Sequence, residues 1–122
     1  MAYIYSEAGI LEKAEQYYRQ ALSSVELTSD NSWYFYQFAW FLIDKDRNIE
    51  EGMTLANKVL KVSPDDYDLL DTKGWGLYKQ GKKEEALEFI ERSWNLRMKN
   101  ARYNHEAYLH LEEAKKAVAG QK

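Results

Sequence analysis

The feature that most constrains this chain is an internal repeat of about 34 residues. Side chains at five positions recur 34 residues further along, and a third set precedes the first by 38 residues. The matched positions are Ile49, Gly52, Ala56, Val59 and Pro64, then Lys83, Ala86, Ile90, Ser93 and Met98, preceded by Leu11, Ala14, Tyr18 and Ala21. A period of this length is typical of repeat proteins with short helical units. The sequence therefore predicts a repeat architecture.

The residues between the breaks favour helices. Pro64 is the one proline, the six glycines stand singly, and no segment alternates polar and apolar residues at period two. Long stretches are rich in Ala, Leu, Glu, Lys and Gln, which are good helix formers. The sequence predicts an all-α fold, with helices over residues 1–7, 11–27, 32–43, 49–62, 66–80, 83–96 and 104–119.

Five residues predict how helices begin, end and cross. Asn48 and Glu51 have the spacing of a capping box. In this motif the Asn side chain accepts a hydrogen bond from an amide at the helix start, and the Glu side chain reaches back to the Asn amide. Gly81 suits the left-handed residue that ends a helix. Gly52 and Ala86 occupy the repeat position at which two helices of a unit approach most closely, since a larger side chain there would force the helices apart.

Composition excludes several classes of partner. The 122 residues include 17 basic and 20 acidic side chains, a net charge of −3, and neither half of the chain has a basic excess. This balance argues against a nucleic-acid or anionic-membrane partner. The longest apolar run, residues 38–43, is far shorter than the roughly 20 residues of a membrane span. Residues 1–11 do not resemble a signal peptide, and without cysteine nothing indicates a compartment.

No pattern predicts catalysis. The sequence has no glycine-rich phosphate loop, serine elbow or metal-spaced carboxylate set. His105 and His110 point about 140° apart on a helix and cannot share a metal. Glu106 and His110 share a helix face, and we interpret them as an exposed pair worth a few tenths of a kcal/mol. We therefore expect a non-enzymatic chain with no cofactor and no metal.

Basic residues of the second half alternate with glutamates. This pattern predicts a solvated face with ion pairs between residues four apart. The basic residues are Lys79, Lys82, Lys83, Arg92, Arg97, Lys99 and Arg102.

Aromatic residues are concentrated between Trp33 and Phe41, where seven of the 18 lie. One stripe at three- and four-residue spacing is typical of packing against a partner helix: Phe35, Phe38, Ala39 and Leu42. A second stripe lies on the other side: Trp33, Tyr36, Trp40 and Ile43. In the next unit, Leu70, Gly74 and Leu77 form the core stripe, and Asp71, Trp75 and Tyr78 lie opposite. The helix over residues 32–43 must therefore contact something on two sides.

These registered positions resemble the tetratricopeptide repeat family. The best match is Leu70, Gly74, Leu77, Gly81, Ala86 and Ile90, and the middle unit fits with Phe35, Phe38, Ala39, Leu42, Gly52, Ala56 and Pro64. The stretch 70–75 is similar to bacterial members. The resemblance implies one domain over residues 1–122, a right-handed superhelix of antiparallel helix pairs. Its units would be residues 1–28, 32–64 and 66–98, with an end helix over 104–119.

In that family the first helices of successive units line a concave face that binds peptides. The resemblance implies that this face holds Tyr3, Glu7, Trp33, Tyr36, Gln37, Trp40, Asp44, Asp68, Asp71, Thr72, Trp75, Tyr78 and Lys79. Family members that grip a terminal carboxylate use several basic residues, whereas Lys79 is the lone base here. We therefore expect a protein or peptide partner with apolar or aromatic anchors and a basic lean.

Two alternatives stay open. Trp40 and Trp75 would be structural if they stack on each other between units or if the end helix folds back over them. Separately, the chain would be a structural or self-association segment if its aromatic face is buried inside a homodimer or a longer array. A polar helix is expected to cap each end of a repeat array. We expect residues 104–119 to cap one end and the other end, near Tyr5 and Tyr17, to be poorly covered.

Overall fold

The computed structural model describes residues 7–120, and side chains from residue 9 onward. Within this part of the chain all regular structure is helical, which confirms the all-α prediction. The six helices are α1 (Glu7–Leu22), α2 (Ser32–Asp44), α3 (Ile49–Val62), α4 (Tyr67–Lys79), α5 (Lys83–Lys99) and α6 (His105–Ala119). The helix predicted over residues 1–7 lies outside the described residues except for its last residue.

The predicted bounds are wrong mainly in the first helical segment. Residues 8–10 were expected to separate two helices, but α1 runs without a break from Glu7 to Leu22. A single glycine such as Gly9 costs a helix only about 0.5–1 kcal/mol, which continued helix on both sides can offset. The helix also ends five residues before the predicted position 27. Asn31 organises the following loop, because its side chain accepts from the Thr28 amide and donates to the Glu26 carbonyl.

The capping prediction at the start of α3 is half confirmed. The Asn48 side chain accepts a hydrogen bond from the Glu51 amide at 3.0 Å. The Glu51 carboxylate does not reach back to Asn48. It instead accepts two hydrogen bonds from the Arg19 guanidinium of α1, each 2.7 Å long. These bonds hold the pKa of Glu51 below its usual value, and the ion pair ties α1 to α3.

Helices α2 and α3 pack in opposite directions, and so do α4 and α5. The Ser32 and Ser63 hydroxyls, at the start of α2 and just after α3, are 3.3 Å apart. Near the other end of this pair, a Cβ built on Gly52 would lie 2.7 Å from Ile43 Cγ1. In the second pair, the Ser93 hydroxyl of α5 donates to the Tyr67 carbonyl at the start of α4 at 2.6 Å. The described chain thus contains two successive antiparallel helix pairs.

Helices α2, α4 and α6 lie side by side in one direction. Lys79 near the end of α4 donates to the carbonyls of Ile43 and Asp44 at the end of α2, at 3.0 and 2.9 Å. Along α4 and α6, Asp71 meets His110 and the Tyr78 hydroxyl donates to Glu113. One apolar cluster joins these helices through α3 and α5; its buried members are Ile43, Met53, Leu77, Ala86, Ile90, Leu111 and Ala114.

The two predicted crossing points lie at close helix contacts. Gly52 leaves no room for a Cβ against α2, and a Cβ at Gly74 would lie 2.5 Å from Ile90 Cγ1 and 3.2 Å from the Ala86 carbonyl oxygen. Ala86 itself is fully buried. The small residues of the repeat therefore set the spacing of the helices within each pair.

Replacing Ala86 with leucine is expected to destabilise the protein by about 1–3 kcal/mol. The added carbons would have to fit between α4 and α5, where even a methyl group on Gly74 has no space. Urea unfolding followed by circular dichroism measures the effect. The matched control is Glu88→Leu on the exposed side of α5, which should change stability by less than about 0.5 kcal/mol. Equal midpoints for the two variants would contradict the assigned crossing point.

Three helices end with a residue in the left-handed region. Gly81 confirms the prediction with φ of 83°, and the same conformation is adopted by Asp46 and Ala101, with φ of 54° and 55°. At the end of α5, the Arg102 amide donates to the Arg97 carbonyl at 2.8 Å and the Ala101 amide to the Met98 carbonyl at 3.2 Å. This is the Schellman arrangement, in which glycine is the preferred residue at the position of Ala101.

Replacing Ala101 with glycine is therefore expected to stabilise the protein by up to about 1 kcal/mol. The left-handed conformation costs an L-residue about 1–2 kcal/mol, and the greater chain entropy of unfolded glycine offsets part of the gain. Thermal unfolding measures the change. Ala117→Gly in the last turn of α6 is the same substitution at a right-handed helical position and should destabilise by up to about 0.5–1 kcal/mol. A loss of stability in both variants would count against the strained cap.

Candidate functional site

The adjoining helices α2, α4 and α6 form a face with a small polar cavity of about 80 Å³. Residues of these three helices, one residue of α5 and the N-cap of α6 line it: Tyr36, Trp40, Asp68, Asp71, Thr72, Arg97, Asn104 and Glu106. Five of these eight belong to the set that the tetratricopeptide resemblance implies for the concave face. We call this cavity and its lining residues the α2/α4/α6 cleft.

Two residues of α2 form the aromatic side of the cleft. Tyr36 is partly buried, and burial raises the pKa of its hydroxyl to about 12, with the negative charges of Asp68, Asp66 and Asp71 acting in the same direction. Trp40 packs partly against the cluster of Phe38, Phe41 and Leu42. This side of the cleft is thus an aromatic wall in a negative electrostatic environment.

The other predicted residues of α2 lie away from this cavity. Trp33 is 57% exposed and makes an edge contact with Tyr34, with ring centres 5.5 Å apart. Gln37 lies in a different groove, beside Tyr17 and Tyr34. Asp44 pairs with Lys45 at 3.7 Å. The structure therefore brings Tyr36 and Trp40 into the cleft and leaves these three outside it.

Asp68 is paired with a buried arginine. Arg97 Nη2 lies 2.6 Å from Asp68 Oδ1, and its guanidinium lies over the Tyr67 ring at 4.8 Å. Arg97 was expected on the solvated face of α5, and that expectation is wrong, because the residue is only 6% exposed. The carboxylate and the ring compensate the burial of its charge. Neighbouring Asp66 caps α4 by accepting a hydrogen bond from the Leu69 amide. Burial raises the pKa of Asp66, although this hydrogen bond acts in the opposite direction.

Asp71 forms a buried pair with His110. Asp71 Oδ2 and His110 Nδ1 are 2.8 Å apart, and the indole of Trp75 stacks on the imidazole with ring centres 4.1 Å apart. His110 was interpreted as half of an exposed pair with Glu106. That interpretation is wrong, because α6 folds against α4 and buries the imidazole, and Glu106 lies 3.8 Å from its other nitrogen.

Trp75 and Trp40 have different neighbours. Trp75 is stacked between His110 of α6 and Tyr78 of its own helix, the latter ring centre 4.9 Å away. The Tyr78 hydroxyl donates to Glu113 of α6 at 3.0 Å, and this bond raises the pKa of Tyr78. The end helix therefore covers Trp75, which was one of the two structural alternatives for that residue.

Lys79 is engaged in the fold. Its ammonium group donates to the last carbonyls of α2 and forms a salt bridge of 3.0 Å with Asp46. A cation at this position compensates the negative end of the α2 dipole. Of the remaining predicted residues, Tyr3 lies outside the described residues, and the side chain of Glu7 is not described.

Four residues in or beside the cleft were not predicted from the sequence. Arg97, Asn104, Glu106 and His110 come from α5, α6 and the loop between them. Asn104 caps α6 by accepting from the Ala107 amide at 2.9 Å. A signal for this exists in the sequence, because Asn directly before a run of helix-forming residues is a preferred N-cap. Helical periodicity offers a signal for two of the others, because Arg97 continues the stripe of Ile90 and Ser93, and His110 shares a face with the buried residues of α6.

The described part of the chain has neither a candidate membrane span nor a candidate metal cluster. Between residues 7 and 120, no helix is long and apolar enough to cross a membrane. The same residues contain no group of three or more histidine, cysteine or acidic side chains that could hold a metal ion.

Comparison with known proteins adds no relative. No protein-family model matches the chain, and no match was found among the curated proteins.

Proposed function

We propose that this chain is a non-catalytic interaction module that binds a peptide or protein segment on the face formed by α2, α4 and α6. The proposed architecture is a right-handed superhelix of tetratricopeptide-like units closed by α6. The observation that carries the proposal is the α2/α4/α6 cleft, to which helices distant in sequence contribute aromatic and acidic side chains.

The composition of this face favours a particular kind of partner. Trp33 offers a largely exposed indole at its edge, and large exposed aromatic surfaces typically mark contact sites. Trp and Tyr are the residues that most often dominate binding energy at such sites. Asp68, Asp71 and Glu106 supply negative charge next to them. The partner therefore has apolar or aromatic anchor residues and more basic than acidic side chains.

A terminal carboxylate is a poor fit for the same face. Such a ligand needs several free donors from basic side chains. Lys79 is committed to the end of α2, and the Arg97 guanidinium pairs with Asp68. The bases near the cleft thus serve carboxylates and carbonyls of the protein itself.

Selection from a random displayed-peptide library tests the proposal. The immobilised protein should enrich sequences that combine an aromatic or aliphatic anchor with lysine or arginine. Binding of a synthesised winner is measured by fluorescence anisotropy. Competition by an excess of unlabelled winner and loss of binding in Trp40→Ala would assign it to this face. Failure to enrich any sequence over several rounds would contradict the proposal.

Self-association is the second candidate, and a different surface favours it. Between α1 and α2 lies an open groove of about 440 Å³ lined mainly by apolar and aromatic side chains, including Tyr17, Tyr18 and Tyr34. Tyr17 is 76% exposed. An exposed aromatic groove of this kind fits a second copy of the chain.

Under this second candidate, Tyr17→Glu is expected to abolish a concentration-dependent rise in mass. A carboxylate would have to be buried unpaired in the contact, which is costly. Light scattering at several concentrations measures the mass of parent and variant. Tyr103→Glu is the control, because Tyr103 is also an exposed tyrosine but lies far along the chain, beside Trp94. A parent that stays monomeric at every concentration eliminates self-association.

A further inference from the structure

A buried acceptor without a partner lies at the α2/α4/α6 cleft. Asp71 is 8% exposed, and only one of its carboxylate oxygens is used, by His110. Its other oxygen, Oδ1, is buried and has no hydrogen-bond partner. A buried carboxylate oxygen left unpaired costs free energy that a donor would recover. The residue therefore calls for a ligand that brings a hydrogen-bond donor into the cleft.

The charges around the cleft favour a cationic donor. Its lining contains three carboxylates, those of Asp68, Asp71 and Glu106, and one guanidinium, that of Arg97. Arg97 is bound to Asp68, so its charge offsets that carboxylate first. His110 lies between Asp71 and Glu106, with Nδ1 2.8 Å from the first carboxylate and Nε2 3.8 Å from the second. A positive group entering the cleft would meet an excess of negative charge.

The wall opposite the carboxylates is suited to the same group. Trp40 and Tyr36 line the cleft from α2, and aromatic ring faces attract cations. The Trp40 ring already has the Lys45 ammonium at 5.8 Å from its centre. A volume of about 80 Å³ admits a small head group rather than a ring.

We propose that the α2/α4/α6 cleft is the subsite for the ammonium group of a lysine side chain carried by the partner. The ammonium donates to Asp71 Oδ1 and neutralises Asp71 and Glu106, while its methylene chain lies along Trp40 and Tyr36. This inference rests on the proposed function and names the side chain that the peptide-binding face recognises.

The cleft also contains a donor without a partner, Arg97 Nε. A neutral amide could satisfy both unpaired atoms, since it carries one acceptor and a donor. The excess of carboxylates favours the cation over the amide. A neutral amide is therefore tested beside the ammonium probe, so that cation binding and amide binding are distinguished.

Small probes test the subsite directly. The ¹⁵N-labelled protein is titrated with n-butylammonium, butan-1-ol and butyramide in parallel. Its four tryptophans give separate indole N–H signals, assigned with Trp→Phe variants. We expect n-butylammonium to produce a saturable shift of the Trp40 signal and the other two probes to produce none. The Trp94 signal, from a residue that packs against Tyr103 and Tyr108, serves as the internal control.

Variants then assign the shift to the carboxylates. Asp71→Asn keeps the shape and should raise the n-butylammonium dissociation constant at least about tenfold. Glu106→Gln changes a side chain that is 61% exposed, so this variant should fold even if Asp71→Asn does not. It should raise the n-butylammonium dissociation constant about threefold. Asp65→Asn removes an exposed carboxylate outside the cleft and should have no effect.

Three results would overturn the inference: an equal response to butan-1-ol, a preference for butyramide, or binding that Glu106→Gln and Asp71→Asn leave unchanged. Its failure is distinguishable from that of the proposed function. Library peptides that bind the aromatic face while n-butylammonium does not would remove the lysine subsite and leave the module. Binding of n-butylammonium with no peptide enriched would leave an ammonium-binding cleft and contradict the peptide-binding module.

Discussion

Replacing Trp75 with alanine is expected to lower the free energy of unfolding by about 3 kcal/mol. The indole is stacked between His110 and Tyr78 and packs against the cluster that joins α2 to α6. Its removal leaves a cavity and releases the imidazole that pairs with Asp71. Urea unfolding followed by far-ultraviolet circular dichroism gives the change, and hydrogen exchange of the α6 amides should rise with it.

Trp33→Ala is the matched control for this loss. Trp33 is also a tryptophan on one of the three adjoining helices, but its side chain is more than half exposed. Its truncation should therefore change stability by no more than about 0.5 kcal/mol. If Trp75→Ala unfolded at the same urea concentration as Trp33→Ala, the docking of α6 on Trp75 would be contradicted.

This expectation changes what a Trp75 variant can report about binding. From the sequence alone, Trp75 and Trp40 are equivalent anchors whose truncation should abolish partner capture and leave the helices intact. Because α6 covers Trp75, lost capture in Trp75→Ala would reflect lost structure as readily as a lost contact. Trp40 lines the cleft and, unlike Trp75, does not stack on a ring of α6. It is therefore the residue with which to test peptide binding on this face.

Local signals predicted most of the helices. The bounds of α3 match the prediction, because Asn48 caps one end and the Ser63–Pro64 pair follows the other. The prediction for α4 differs by one residue at each end, where Asp66 and Gln80 are its caps. Gly81 ends this helix in the conformation that the sequence predicts. Such signals act between residues a few positions apart, so a single sequence contains them.

The candidate cleft depends on contacts that no local pattern encodes. Arg97 and Asp68 are 29 residues apart, and His110 and Asp71 are 39 residues apart. The sequence does not name these partners, so Arg97 was assigned to a solvated face and His110 to an exposed pair with Glu106. Only the packing of α5 and α6 against α4 turns them inward. The positions carried over from the tetratricopeptide resemblance include Tyr36, Trp40, Asp68 and Asp71, and these four side chains line one cavity in the structure.

Replacing Trp40 with alanine is expected to weaken binding of a library-selected peptide by about thirtyfold. A tryptophan anchor that becomes fully desolvated in a complex typically costs at least about 2 kcal/mol when truncated. In the free protein Trp40 is only partly buried against Phe38, Phe41 and Leu42. Truncation should therefore cost less stability than in Trp75→Ala. Fluorescence anisotropy with the labelled peptide measures affinity, at a temperature where circular dichroism shows both proteins fully helical.

Tyr34→Ala supplies the control for this measurement. Tyr34 is an exposed aromatic residue on the same helix, but it lies in the groove with Tyr17 rather than in the α2/α4/α6 cleft. Its truncation should leave peptide affinity within about twofold, because a side chain outside the contact changes neither desolvation nor charge. Equal losses in Tyr34→Ala and Trp40→Ala would place the peptide on the α1/α2 groove. An unchanged affinity in Trp40→Ala would leave that indole as a purely structural residue, since binding would then proceed without the aromatic wall of the cleft.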